Sequence, residues 1–282
     1  MKILQIGKFY PIRGGVEKVM YDITVGLSQR QVHCDMLCAS AEQQRPKSLS
    51  LNKYARILCV PTWKKGAATM LAPAMIYRLR KIRKEYDIIH IHHPDPMACL
   101  ALFLSGYKGP VVLHWHSDIL KQKMLLKLYD PLQKWLLRRA EVIVGTTPVY
   151  VRESPFLEEI QYKVTSIPIG VDKMKPIPER VEQVKEKYAG KKIIFSLGRL
   201  VEYKGYEYLI RAARQLTDDY VILIGGKGPL WEDLQALINE LGVADKVKLL
   251  GFIDDQHLPD YFGACDLFCL SSIWKTEAFG IV

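Results

Sequence analysis

Residues 191–229 read KKIIFSLGRLVEYKGYEYLIRAARQLTDDYVILIGGKGP, and their order decides the fold. An apolar run, Lys191–Leu197, ends at a glycine. Apolar residues at helical spacing follow over Tyr206–Leu216, and a second apolar run, Tyr220–Ile224, ends at a glycine-rich turn. Strands apolar along their whole length are covered on both faces, and a helix between two of them makes a parallel pair. The stretch is a strand–helix–strand unit with a glycine turn at the C-terminal end of each strand.

The alternation continues in both directions. Strands are predicted at Lys2–Gly7, Val32–Ala39, Arg56–Val60, Asp87–His92, Pro110–His114, Val142–Gly145 and Lys163–Pro168, and again at Lys246–Leu250 and Leu267–Leu270. Helical spacing fills Val16–Arg30, Leu71–Glu85, Lys121–Arg139 and Pro229–Leu241. The pattern pauses at SIPIGVDKMKPIPE, residues 166–179, whose prolines and glycine suit a linker. The expectation is an α/β protein of two Rossmann-like parallel-sheet domains, 1–170 and 171–282, with ligands beyond the C-terminal strand ends.

At 282 residues the chain has room for both domains, and 49% apolar residues exclude a largely disordered polymer. No apolar run approaches the ~20 residues of a membrane span, and the N-terminus enters a strand directly, unlike a signal peptide. The reading is cytoplasmic. The six scattered cysteines read as free, mostly buried thiols. A net charge of +10 points to an anionic partner. No zinc finger, leucine-zipper basic region or RNA-recognition motif is present, so nucleic acid is not expected. KQKMLLKLYDPLQKWLLRR, residues 121–139, and RLRKIRK, residues 78–84, mix basic and apolar residues. Each suits either an anionic membrane surface or an ordinary helix packed on a sheet.

Five clusters fall at strand ends. Gly14 and Gly15 precede a helix and leave its first N–H groups for an anion, or make a plain tight turn. His114-Trp115-His116-Ser117-Asp118 follows a strand, with His90, His92 and His93 on a neighbouring one; no carboxylate spacing completes a metal site, and the alternatives are buried histidines or a sugar or phosphate contact. Arg199 and Lys204 flank a loop that turns into a helix, where two cations suit a diphosphate or sit solvated. Gly225, Gly226 and Gly228 admit a flat ligand or a phosphate against bare backbone, or form a simple turn, and Pro229 suits a first helical turn. Last comes Thr276-Glu277-Ala278-Phe279-Gly280-Ile281-Val282, an acid followed by residues expected to open a helix.

Taken in order, these clusters resemble the retaining glycosyltransferases of the family-four type with the GT-B fold (glycosyl transferases group 1). The resemblance runs along essentially the whole chain. It is carried by Gly14-Gly15-Val16-Glu17, His116-Ser117-Asp118, Ile169-Gly170-Val171-Asp172 (Ile where Asn is usual), Gly198-Arg199 through Lys204-Gly205, Gly226-Lys227-Gly228-Pro229 and Glu277-Ala278-Phe279-Gly280. It implies two domains facing a cleft, the first on the acceptor side and the second binding the nucleotide sugar. It implies that Arg199 and Lys204 hold the donor diphosphate and that Glu277 contacts hydroxyls of the transferred sugar, with Phe279, Gly280 and Ile281 amides nearby. His116 would position the sugar, Gly15 would lie close to the diphosphate or acceptor, and Gly226 and Gly228 would line the donor site. The implied chemistry is metal-independent hexose transfer from GDP-mannose or a UDP-sugar to a glycan or lipid-linked acceptor. Surface polysaccharide or lipopolysaccharide synthesis is the implied setting, at the inner face of the plasma membrane, with no separate cofactor.

One departure accompanies the match. The second Glu of the family's Glu-x7-Glu motif would fall at position 285, beyond Val282. The expectation is a C-terminally truncated second domain and reduced or absent turnover. The competing readings are a non-catalytic nucleotide-sugar-binding fragment and a GT-B nucleotide-sugar epimerase, which would need acid and base carboxylates.

Overall fold

The computed structural model describes every residue except 13, 42–44, 67–68, 120–122, 189, 275–276 and 278. Lys121 of the basic stretch and Thr276 and Ala278 of the last motif therefore lie outside the described residues. The chain divides into two compact units, Met1–Ile169 and Gly170–Val282.

In the first unit, β1 (Lys2–Tyr10) leads into α1 (Gly15–Gln29), then β2 (His33–Ser40), β3 (Lys47–Asn52), β4 (Ala55–Val60) and the small hairpin β5 (Lys64–Gly66) and β6 (Thr69–Leu71). Then come α2 (Ala74–Ile82), β7 (Ile88–His93), α3 (Pro96–Ser105), β8 (Val111–Trp115), α4 (Lys123–Arg139), β9 (Val142–Gly145), α5 (Pro148–Glu153) and β10 (Val164–Ser166). One eight-stranded sheet runs β10-β9-β8-β7-β1-β2-β4-β3. It is parallel throughout except for the edge strand β3, which pairs antiparallel with β4.

Both faces of this sheet are covered, as uniformly apolar strands require. Leu4, Ile6, Ile89, Ile91 and Leu113 pack against α2, α3 and α4 through Leu79, Ala98 and Leu136. On the opposite face Met20 of α1 meets Met36, Cys38 and Ile57. Asp95 caps α3 by accepting from the Met97 and Ala98 amides at 3.0 Å each, with Pro96 at the first helical position.

In the second unit α6 (Pro178–Lys187) is followed by β11 (Lys192–Leu197), α7 (Tyr206–Ala212), β12 (Tyr220–Gly225), α8 (Trp231–Glu240), β13 (Val247–Gly251), α9 (Leu258–Ala264) and β14 (Leu267–Phe268). Its parallel sheet runs β13-β12-β11-β14. Leu209, Ile210, Leu234 and Ile238 bring α7 and α8 onto one face. Val181, Val184, Phe262 and Ala264 bring α6 and α9 onto the other, around Phe195. No helix among the described residues is long and apolar enough to cross a membrane.

Candidate active site

In the first unit the histidines gather at the C-terminal ends of two interior strands. The register sets His92 beside His114, and residues two apart share a face, so His90, His92, His114 and His116 all point to the α1 side. His93 points to the other side and lies flat on Trp115, ring centroids 3.8 Å apart. His92 Nδ1 is 2.8 Å from His116 Nε2, and His92 Nε2 is 2.6 Å from Gln5 Oε1. The centroids of His92 and His116 are 5.1 Å apart, which is the spacing of two imidazoles joined end to end by such a bond. His114 stacks face to face on His116 at 4.1 Å and 6°.

Burial drives all five imidazoles toward the neutral form. It holds His90 and His93 to about 3, His114 to about 4, and His92 and His116 well below their ordinary value. Neighbouring charges add smaller repulsions in the same direction at His90, His92 and His116, among them Lys8 toward His92 and His116, whereas hydrogen bonds with Gln133 and Ser117 partly oppose burial at His93. Ligand nitrogens of His92, His114 and His116 lie within 4.8 Å of one another. The rings do not suit a shared metal as arranged. An imidazole binds a metal in its own ring plane, and two rings stacked 4.1 Å apart at 6° have no common in-plane point. Asp118, the partner of His116 in the motif, takes a structural post. It accepts from Trp115 Nε1 and Ser154 Oγ at 2.8 Å each, and its amide donates to Tyr150 Oη at 2.6 Å.

The glycine turn before α1 differs from expectation. Gly14 is extended and α1 has no side-chain cap. The carboxylate of Glu17, a buried residue, lies where a Gly14 side chain would be, with Oε2 2.6 Å from an ideal Cβ. An acid in the first turn complements the helix dipole itself. Gly15 is the first residue of the helix.

In the second unit β11 delivers Gly198-Arg199, and a 3-10 turn, Glu202–Lys204, brings the chain to Gly205. Gly205 has a left-handed φ of +64°, and a Cβ there would sit 2.2 Å from the Ser271 carbonyl oxygen. That close approach ties the turn to residues 271–273. Ser271 Oγ donates to the Lys204 carbonyl at 2.7 Å, and the Ile273 amide donates to the Tyr203 carbonyl at 2.8 Å.

The two cations expected to act alike are set differently. Arg199 is exposed. Lys204 is buried, its ammonium 2.5 Å from Glu277 Oε2, with the two side chains 8% and 17% exposed. Ser272 Oγ donates to the same carboxylate oxygen at 3.0 Å. Tyr203 is bordered by all three charges: burial and then Glu277 raise its hydroxyl above the ordinary value, and Arg199 opposes them.

The turn after β12 is glycine-rich for its neighbour's sake. A Cβ at Gly226 would lie 1.9 Å from the Gly198 carbonyl oxygen, and one at Gly228 would lie 2.3 Å from the Leu200 carbonyl oxygen. The two loops pack backbone to backbone, with the Leu200 amide donating to the Lys227 carbonyl at 3.1 Å. The bare backbone expected to receive a ligand therefore receives the adjacent loop on its Cα side. Residues 279–282 were expected to open a helix. Among the described residues 277 and 279–282 form no helix, and Gly280 has a left-handed φ of +72°, where an added Cβ would lie 3.1 Å from the Leu270 side chain.

Gln5 escaped the sequence reading. Its signal is a lone amide inside the apolar strand ILQIG, where a buried polar side chain needs a designated partner.

Comparison with known proteins places these features in a family. A model of Glycosyltransferase Family 4 matches residues 13–174, and a model of glycosyl transferases group 1 matches residues 179–282. The chain is 29% identical to the O-antigen chain mannosyltransferase C of Escherichia coli over 285 residues, covering all of this chain and 75% of that protein. It is 34% identical to the D-rhamnosyltransferase WbpZ of Pseudomonas aeruginosa over 218 residues, covering 76% of this chain and 56% of that one. Among solved structures, Anabaena HepE with UDP and glucose superposes with a TM-score of 0.72 at 21% identity, covering 96% of this chain and 74% of that one.

Proposed function

The chain belongs to Glycosyltransferase Family 4, and on that premise we propose that it transfers a hexose from GDP-mannose or a UDP-sugar to a glycan or lipid-linked acceptor, with retention of anomeric configuration. The setting is surface polysaccharide synthesis, a reading supported by the O-antigen mannosyltransferase and D-rhamnosyltransferase likenesses. The observation that carries the reaction is the Lys204–Glu277 pair. A cation and an acid held 2.5 Å apart, mostly out of water, at the end of a parallel sheet are a preorganised place for a phosphate and a sugar hydroxyl.

In this reading Lys204 and Arg199 take the donor diphosphate, Lys204 as a fixed point charge and Arg199 as a mobile fork. The Phe279, Gly280 and Ile281 backbone completes the donor surface of the second unit, and Gly226 and Gly228 serve it by letting their turn pack backbone to backbone against the loop that bears Arg199. Taken by itself, the first unit is read as offering His116 to the transferred sugar and Gly15 to the diphosphate or the acceptor. The bond from the anomeric carbon to the leaving phosphate oxygen breaks, and its electron pair goes to that oxygen. The acceptor oxygen bonds to the same face of the carbon and passes its proton to the departing phosphate. No carboxylate pair is required, unlike in a glycosidase. Arg199 and Lys204 meet the charge that a divalent ion would otherwise meet, so the reaction is metal-independent.

The acceptor reading has its own support. Helices α2, α3 and α4 lie side by side on the first unit. Tyr77, Phe103 and Leu128 on these helices are 65%, 48% and 82% exposed, and the same helices carry the basic residues Arg78, Lys81 and Arg138. Apolar tips and cations on the same helices suit a peripheral position on an anionic bilayer. Incubation with GDP-mannose, UDP-glucose and ADP-glucose, read by thermal shift and by the anomer of any product, tests the reaction. Selective stabilisation by one base and an α-to-α transfer are expected; indifference to all three donors would overturn it. Sedimentation with phosphatidylglycerol vesicles tests the surface. Binding lost at high salt is expected, and no binding at low salt would remove the membrane from the reading.

A further inference from the structure

Gln5, His92 and His116 form a buried line across β1, β7 and the end of β8. All three are fully or almost fully buried. The polarity of the line can be read from its buried end. Gln5 Nε2 donates to Cys34 Sγ at 3.7 Å, which turns Oε1 toward His92. An amide oxygen only accepts, so His92 carries its hydrogen on Nε2 and donates it across 2.6 Å. A neutral imidazole has one N–H, which leaves His92 Nδ1 bare. The 2.8 Å contact to His116 then requires the hydrogen on His116 Nε2. His116 is left with an unprotonated Nδ1. The face-to-face stack of His114 on His116 holds the ring plane that this bond has oriented.

We propose that Gln5 and His92 are positioning residues that fix His116 as the Nε2–H tautomer, so that His116 Nδ1 accepts a hydrogen bond from a hydroxyl of the transferred sugar. The inference rests on the assignment of His116 to that sugar. It specifies what the site asks of the sugar: a hydroxyl that donates, at the position His116 reaches. A donor whose hydroxyl there is replaced by fluorine can only accept and would face a bare nitrogen. A site arranged to accept from a hydroxyl rejects an analogue without one by far more than a missing methylene would cost. Burial keeps both rings neutral across the working pH range, so the tautomer is set by the line and not by titration.

The test is long-range nitrogen–proton NMR on the full chain labelled with 15N-histidine. Unmodified protein should show the Nε2–H pattern for both His92 and His116. A proton on His116 Nδ1 overturns the proposal without any variant being made. Gln5→Met keeps the volume and removes the acceptor. It should turn both rings into tautomer mixtures and lower kcat at least tenfold, with KM for the donor less affected. Unchanged tautomers in Gln5→Met would reduce Gln5 to packing and overturn its role. Saturating GDP-mannose or UDP-glucose, whichever the enzyme uses, should shift the His116 Nδ1 resonance. Transfer without that shift would overturn the sugar contact while leaving the glycosyltransferase reading intact. An Nε2–H pattern in a protein that transfers from no donor would instead fail the functional reading and leave the tautomer assignment standing.

Discussion

Lys204 and Arg199 carry the same charge in one short loop, yet burial separates what each should do when removed. Lys204 is paired with Glu277 at 2.5 Å and both are mostly out of water, so Lys204→Met leaves the carboxylate with Ser272 as its remaining side-chain donor among the described residues. Breaking a pair so buried costs about 3–5 kcal/mol, whereas replacing both partners by apolar groups is often nearly neutral. Denaturant unfolding should show the second unit destabilised in Lys204→Met and largely restored in Lys204→Met with Glu277→Leu, while transfer stays abolished in both. Arg199 is exposed, and Arg199→Ala should alter stability by less than about 0.5 kcal/mol while cutting transfer at least a hundredfold. Equal stability loss in the two single variants would contradict the difference in setting.

At the scale of elements, the two glycine loops of the second unit show why a motif and its function need not coincide. Gly226→Ala places a methyl 1.9 Å from the Gly198 carbonyl oxygen, and Gly228→Ala places one 2.3 Å from that of Leu200. Backbone cannot give way as a flexible side chain does, so each should cost about 1–3 kcal/mol and separate the loop bearing Arg199 from its neighbour. Gly242→Ala is the control: φ is +65° there but the space is open, and about 1 kcal/mol is expected from backbone strain alone. Differential unfolding of the three variants checks the order. The elements themselves were largely legible. Apolar runs located β1, β2, β4 and β7 to β14, because a strand covered on both faces has no polar alternation to confuse it. The antiparallel β3, KSLSLN, was missed although its alternating serines and leucines are the period of a half-buried edge. Helix α3, PMACLALFLS, is absent from the predicted helices, since a helix apolar on nearly every side has no periodic face. The site was half legible. Glycines and charges at strand ends gave the loops, but the Lys204–Glu277 pair and the Gln5–His92–His116 line join residues 73, 87 and 24 apart along the chain, and loop contacts in the first case and strand pairing in the second bring them together.

Across the whole molecule, the displaced histidines are all on one side of the division at residue 169: His90, His92, His93, His114 and His116 belong to the first unit. Each is held neutral when folded and returns to about 6.5 when the chain unfolds. Below that value the unfolded chain binds protons that the folded unit refuses, so stability must fall as pH drops from about 6.5 toward 4 and level off above 7. Each fully displaced histidine contributes a slope of up to about 1.4 kcal/mol per pH unit, and five together make the first unit steeply acid-sensitive. Hydrogen exchange read by mass spectrometry at pH 7.5 and 5 should therefore show protection collapsing in peptides from 1–169 well before those from 170–282, once intrinsic exchange rates are divided out. Both ring nitrogens of His114 are buried with no hydrogen-bond partner among the described residues, so His114→Leu removes a group that is unsatisfied when neutral and excluded when charged. That variant should stabilise the first unit more at pH 5 than at pH 8. Equal stability of the first unit at pH 5 and pH 8, in the protein and in His114→Leu alike, would count against neutral histidines in the fold and so against the Gln5–His92–His116 line.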